Sequence, residues 1–186
     1  MKYLTHTVND TSTSSVGDGV NKLEWFIDAS VAVHPDFRSH TGLTSGFGGG
    51  LGSPINESFK QKLNTDSGTT SELAAVHQGP PIASWVKLFL EEQGHSIDEN
   101  IVHQDNQSAI LLEKNGKKSS SKRTRHLNIR YFMVTDQVEK GNVSVRHCPT
   151  DEMIGDFMTK GLQGIKFAKF RKAIMGHQEW KANYKE

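Results

Sequence analysis

The sequence has one cysteine, five prolines and no long apolar run. Cys148 has no second cysteine with which to form an internal disulfide, and no group of histidines has the spacing of a zinc site. No segment is long and apolar enough to span a membrane, and the N-terminus lacks the apolar core of a signal peptide. We therefore expect an intracellular protein with no membrane partner. Its 186 residues, 34% of them hydrophobic, are enough for one compact domain.

Charge is unevenly distributed, although the net charge is only +1. The segment 114–130, here called the basic strip, contains no acidic residue, so all 21 acidic residues lie outside it. This distribution favours a polyanion bound at the strip and cations bound elsewhere. Hydroxyls at 119–121 and 124 would add donors for phosphates, whereas a solvated loop is the alternative interpretation. The basic residues of the strip are Lys114, Lys117, Lys118, Lys122, Arg123, Arg125 and Arg130.

The order of apolar patterns predicts an α/β fold with a mixed sheet flanked by helices. Strands are predicted over 23–30, 42–47, 55–62, 101–105 and 143–148. A helix is predicted after Thr69 and ends at Gly79-Pro-Pro, where a second helix begins. Further helices are predicted over 106–115 with Asn106 as N-cap, over 127–140, from Thr150 onward and over 165–175.

Four acidic residues lie at predicted strand ends or on helices beside the sheet: Asp28, Glu72, Asp105 and Asp156. Each has a simpler interpretation, such as a capping-box partner of Thr69 for Glu72 or a solvated helix face for Asp156. One shared cation site accounts for all four, because neighbouring strands would bring Asp28 and Asp105 side by side. Hard divalent cations prefer several oxygen ligands, and two ions about 3.5–4 Å apart can hold a phosphodiester between them.

Several motifs follow one another along the chain, at 25–29 (WFIDA), 60–65 (KQKLNT), 69–73 (TTSEL), 103–109 (HQDNQSA), 122–132 (KRTRHLNIRYF) and 155–160 (GDFMTK). In this order they resemble the ribonuclease H domain at the C-terminal end of copia-type retrotransposon Pol polyproteins. The resemblance implies an RNase H-like fold with a mixed five-stranded sheet. It also implies hydrolysis of the RNA strand of RNA–DNA hybrids, with two Mg²⁺ ions, or Mn²⁺, held by Asp28, Glu72, Asp105 and Asp156.

The resemblance also predicts the organisation of the chain and its setting. Residues 1–21 would be a remnant of the upstream reverse transcriptase and a linker, 22–175 the RNase H-like domain, and 176–186 a C-terminal tail. The partners would be the hybrid duplex and the upstream reverse transcriptase. An active element would place the protein in the cytoplasm, in virus-like particles. Three departures from the family are Gly155, where alanine is usual, Gly161, where proline is usual, and the run TSEL at 70–73, where Ser-Thr-Glu-Ala is usual. We expect each glycine to loosen the helix of Asp156 by ~1 kcal/mol if it is interior.

Two other functions compete with this hypothesis. An integrase-like polynucleotidyl transferase would use Asp28, Asp105 and a late glutamate, for which Glu139 is the candidate. A degenerate copy would keep the fold and bind nucleic acid through the basic strip without cleaving it. His147 is interpreted as a strand residue packed beside Cys148, or alternatively as a mobile proton-transfer group near the site.

Overall fold

A five-stranded sheet forms the centre of the protein. The computed structural model describes residues 10–14, 21–50, 52–62, 68–115 and 128–177, except for the side chains of 73 and 112–133. The strands are β1 (Lys22–Ser30), β2 (His40–Phe47), β3 (Asn56–Lys60), β4 (Glu99–Gln104) and β5 (Ser144–His147). Their order is β3-β2-β1-β4-β5, with β1–β2–β3 antiparallel and β4 and β5 parallel to β1 and to each other. The prediction of a mixed five-stranded sheet is confirmed.

Helices cover both faces of this sheet. They are α1 (Gly68–Glu92), α2 (Gln107–Asn115), α3 (Asn128–Glu139), α4 (Asp156–Thr159) and α5 (Gly164–Ile174). Alternation along β1 separates two cores, because successive side chains point to opposite faces. Leu23, Trp25 and Ile27 are buried under α1 and α3, whereas Phe26 is buried with the residues of α5. The strand pattern read from the sequence therefore selects which helices pack on which face.

Helix α1 runs unbroken through Pro80 and Pro81, so the predicted break at Gly79-Pro-Pro is wrong. Proline removes a hydrogen-bond donor from a helix interior and normally ends or kinks it. Here apolar side chains are buried on the sheet both before and after the prolines, and their packing outweighs that local preference. Gly79 lets the helix lie close to the sheet, since a Cβ there would come within 2.0 Å of Ile27 Cδ1.

The helix predicted from Thr150 is also interrupted. A 3₁₀ turn covers Thr150–Glu152, and the four-residue α4 begins separately at Asp156. Met153 and Ile154 lie between them and are buried in the core with Phe26. The chain therefore turns between the two helical segments, and this turn accompanies the burial of both side chains.

Two glycines let α4 lie directly against β1 and β2. A Cβ at Gly155 would lie 2.9 Å from the carbonyl oxygen of Phe26, and one at Gly42 would lie 2.7 Å from Met158 Cβ. Real Cβ atoms essentially never approach so closely, so a larger residue at either position requires a shift of the backbone. The close approach brings Asp156, the first residue of α4, to the part of β1 that carries Asp28.

Part of the predicted N-terminal linker is bound to α5. The amide of Thr13 donates to the carbonyl of Met175 at 2.9 Å, and Arg171 forms an ion pair with Asp10. Residues 10–14 are therefore attached to the domain predicted to begin at residue 22, although the domain boundaries themselves remain a prediction. Among the described residues, no helix has the length and hydropathy needed to cross a membrane.

Candidate metal centre

The pairing of β1 with β4 places two carboxylates side by side. Phe26 and His103 are partners in the parallel register, and their rings stack with centroids 4.6 Å apart. Two residues further along each strand, Asp28 and Asp105 lie on the same face because the side-chain period is two. Asp105 follows the last residue of β4. Asn106 caps α2 as predicted, with its side chain accepting from the amide of Ala109 at 3.1 Å.

Glu72 joins this pair from the start of α1. Oxygen atoms of Asp28, Glu72 and Asp105 all lie within 4.8 Å of one another, and these three residues are here called the carboxylate cluster. Glu72 accepts hydrogen bonds from the amide of Ala29 at 3.3 Å and from Gln104 Nε2 at 3.2 Å. Its side chain therefore points into the cluster, which favours the shared-site interpretation over the capping box.

Asp156 is linked to the cluster through a lysine. Its side chain is 1% exposed, and its Oδ1 lies 2.5 Å from Lys160 Nζ. The same ammonium lies 3.3 Å from Asp28 Oδ1, so one cation contacts both buried carboxylates. Lys166, on α5, reaches the other oxygen of Asp156 at 2.7 Å and the carbonyl of Thr150 at 3.1 Å. Asp156 is thus held beside the cluster by two lysines.

The side chains that position the acids were not predicted from the sequence. Gln104 accepts from the amides of Asp105 and Asn106 while it donates to Glu72, so it connects the end of β4 to α1. The hydroxyl of Thr159 donates to Asp28, and that of Thr150 donates to Asp105 at 3.0 Å. Spacing alone offered one signal for Lys160, which lies one helical turn after Asp156.

Burial and mutual repulsion raise the pKa values of Glu72 and Asp28. Burial, together with the charges of Asp28 and Asp105, raises the pKa of Glu72 to about 9. Burial also raises the pKa of Asp28 to about 6, although the nearby Lys160 opposes this shift. Burial alone would lower the pKa of Lys160, but the Asp28 and Asp156 carboxylates outweigh it and raise that pKa. Without a cation, keeping these carboxylates ionised costs the protein free energy.

The donor set fits a hard divalent cation. Every group in the cluster offers carboxylate oxygen, the ligand that Mg²⁺ and Mn²⁺ prefer over nitrogen or sulfur. The three side chains approach one another from β1, α1 and the end of β4, so the oxygens converge without rearrangement of the backbone. A positive charge among them would oppose the repulsion that raises the pKa values of Asp28 and Glu72.

Other candidates lie outside the cluster. Glu139 is exposed at the end of α3, and among the described residues it is not part of the carboxylate cluster. His147 is exposed at the end of β5, so the interpretation of a residue packed beside buried Cys148 is wrong. The basic strip falls outside the described residues from Lys117 to Arg125, and for Lys114 and Arg130 only the helical backbone is described.

Neither glycine near Asp156 is inside a helix, so the condition for the expected loosening of ~1 kcal/mol is not met. Gly155 is the N-cap of α4, and Gly161 follows the C-cap residue Lys160. The helix-interior penalty therefore does not apply to them. Gly155 instead permits the close contact with β1 that positions Asp156.

Comparison with known proteins relates the chain to transposon polyproteins. It is 32% identical over 178 residues to the "Retrovirus-related Pol polyprotein from transposon TNT 1-94" of Nicotiana tabacum, covering 95% of this chain and 13% of that polyprotein. It is 30% identical over 123 residues to the corresponding polyprotein of transposon RE2 from Arabidopsis thaliana, covering 65% of this chain and 8% of the relative. The chain thus spans a small part of these relatives. No family model matches it.

Comparison with solved structures identifies the fold. LC11-RNase H1, isolated from compost by a metagenomic approach, has a TM-score of 0.54 at 13% identity, over 83% of this chain and 96% of that one. LC11-RNase H1 in complex with an RNA/DNA hybrid has a TM-score of 0.51 at 12% identity, over 71% and 88%. The foamy viral protease-reverse transcriptase with an RNA/DNA hybrid has a TM-score of 0.52 at 12% identity, over 90% and 21%. The fold is that of RNase H.

A larger side chain at Gly155 should lower the stability of the protein. We expect Gly155→Ala to lower the free energy of unfolding by about 1–3 kcal/mol, because its Cβ would collide with the backbone of Phe26. Gly161→Ala is the matched control, since no atom lies within 4 Å of a Cβ there, and it should change stability by less than about 0.5 kcal/mol. Urea unfolding of both variants gives the comparison. Equal stabilities would contradict the close-approach argument.

The raised pKa of Glu72 should make the metal-free protein less stable as pH rises. Because the folded state holds this proton more tightly, the stabilisation is complete below pH 4.5 and is lost as pH rises through about 9. We expect Glu72→Gln to flatten the decline in unfolding free energy between about pH 5 and pH 9, measured by urea unfolding in a chelator. Glu57→Gln, at an exposed position on β3, is the control. An unchanged pH dependence in Glu72→Gln would show that the raised pKa of Glu72 does not cause the decline in stability.

Proposed function

We propose that this chain, an RNase H-fold segment that belongs with the Pol polyproteins of plant transposons, cleaves the RNA strand of RNA–DNA hybrids with the help of divalent cations. The observation that carries the proposal is the convergence of Asp28, Glu72 and Asp105 within 4.8 Å, with Asp156 beside them. This arrangement supplies all four acids that the motifs suggested. It has no place for Glu139, which the integrase-like alternative requires.

In this proposal the chain supplies the residues that bind the cations and the residues that orient those ligands. Two Mg²⁺ ions, or Mn²⁺, would be held by Asp28, Glu72, Asp105 and Asp156. Gln104 fixes Glu72 relative to Asp105. When bound, the ions supply Lewis-acid activation of a water and neutralise charge at the leaving 3′-oxygen.

The substrate class is supported by relatives and by groove chemistry. Two similar structures, LC11-RNase H1 and the foamy viral protease-reverse transcriptase, are complexes with RNA/DNA hybrids. A hybrid presents 2′-hydroxyls in a shallow minor groove, and a site that contacts them distinguishes RNA from DNA. The basic strip would contact the phosphates, which positions a duplex without reading its sequence.

The setting is part of the same proposal. The chain covers 13% of its tobacco relative, so the remaining segments of such a polyprotein, a reverse transcriptase among them, are the proposed partners. The proposed location is the cytoplasm, in virus-like particles of an active element. The non-catalytic copy remains the second candidate function, because the fold and the basic strip would support binding without cleavage.

Cleavage of matched duplexes tests the proposal. With Mg²⁺, we expect the protein to cut RNA–DNA and to leave DNA–DNA and RNA–RNA of the same sequence intact. Asp105→Asn should abolish cleavage and spare binding, because one ligand of the cluster loses its charge while the phosphate-binding residues remain. Asp98→Asn, an exposed position before β4, is the control and should cleave normally. Equal cutting of DNA–DNA would contradict the proposal, and binding without any cutting would support the non-catalytic copy.

Salt dependence tests the basic strip. Replacing Lys122, Arg123 and Arg125 with glutamine should weaken hybrid binding and flatten its dependence on salt, by about 0.9 in the log–log slope for each phosphate that is no longer neutralised. A control neutralises three lysines outside the strip, at Lys87, Lys140 and Lys172. Binding curves over a range of salt concentrations give both slopes. An equal change in the two triple variants would show only an effect of net charge.

A further inference from the structure

Lys160 lies in the space between two buried carboxylates. Its ammonium is 3.3 Å from Asp28 Oδ1 and 2.5 Å from Asp156 Oδ1, and both acids are 1% exposed. Such a bridging position between carboxylates is where a divalent cation shared by Asp28 and Asp156 would bind. The ammonium and a dication cannot occupy it together, because like charges at such distances repel strongly in a poorly solvated site.

The other ligands of these acids leave Lys160 as the movable group. Asp28 is held by the hydroxyl of Thr159, and Asp156 is held by Lys166, which also contacts the carbonyl of Thr150. The Lys160 side chain is 39% exposed and follows the C-terminus of a four-residue helix. It can therefore leave toward solvent while both carboxylates stay in place.

We propose that Lys160 gates one of two cation positions, occupying the gap between Asp28 and Asp156 in the metal-free protein and leaving it when a divalent cation bridges them. The inference rests on the proposed function, since it concerns cations at the same carboxylates. The position formed by Asp28, Glu72 and Asp105 is less affected, because Lys160 touches only one of these three acids. The two positions therefore differ in their affinity for a cation, and competition from Lys160 lowers the affinity of the position between Asp28 and Asp156.

Calorimetric titration of the full chain with Mn²⁺, without nucleic acid, tests this proposal. Wild type should bind two ions, one tightly and one weakly. Lys160→Met should tighten the weaker site by about tenfold, because the competing charge is gone. Lys160→Arg should keep it weak, since a cation remains in the gap. Lys172→Met, at an exposed position on α5, removes the same charge elsewhere and should leave both affinities unchanged.

Lys166→Met tests whether the weaker site is affected by a lysine that occupies the gap or by any positive charge nearby. Lys166 contacts Asp156 but is not among the partners of Asp28, so its removal should shift the weaker site less than Lys160→Met does. An equal shift in both variants would overturn the gating proposal, because it would show a general electrostatic effect. Unchanged affinities in Lys160→Met, with two ions bound to wild type, would overturn the gate and leave the proposed function standing. A wild-type protein that binds no Mn²⁺ would refute both.

Discussion

Repulsion among buried carboxylates is the constraint on which the rest of this structure depends. Three acids with oxygens within 4.8 Å, and a fourth beside them, cannot all be ionised without compensation. The protein compensates with groups that donate hydrogen bonds to Glu72 and with lysines that contact Asp156. The raised pKa values of Glu72 and Asp28 show that this compensation is partial. What remains is a site with affinity for added positive charge.

The fold makes this arrangement possible through backbone proximity. Asp28 and Asp105 need only the register of β1 and β4, but Asp156 must arrive from a helix on the face of the sheet. The absence of side chains at Gly42 and Gly155 allows α4 to lie against the backbone of β1 and β2. A Cβ at either position would require neighbouring atoms to shift. The approach of Asp156 to Asp28 therefore involves two residues that have no side-chain chemistry.

The sheet and most helices could be predicted from the sequence, because strand alternation is a local signal, and strand-end positions indicated that Asp28 and Asp105 would lie together. Glu72 and Asp156 lie on helices, and their role as metal ligands rests on the family motifs and stays a prediction. The path of α1 could not, since proline rules act locally whereas the burial of Ala75 and Ala83 on the sheet is tertiary. Lys166 was missed for a related reason. Lys166 meets Asp156 only after α5 packs, and no spacing in the chain indicates that contact.

The departures at Gly155 and Gly161 bear on whether this copy is degenerate. Helix propensity alone suggested a loosened Asp156, but one glycine is an N-cap in close contact with β1 and the other lies beyond the C-cap. Gly155 fits the close packing of α4 against Phe26. Asp156 also contacts two lysines, so positive charge accompanies its buried carboxylate. The two glycines therefore give no structural argument that this copy is non-catalytic. Whether it is catalytic depends on the chemistry of the carboxylates.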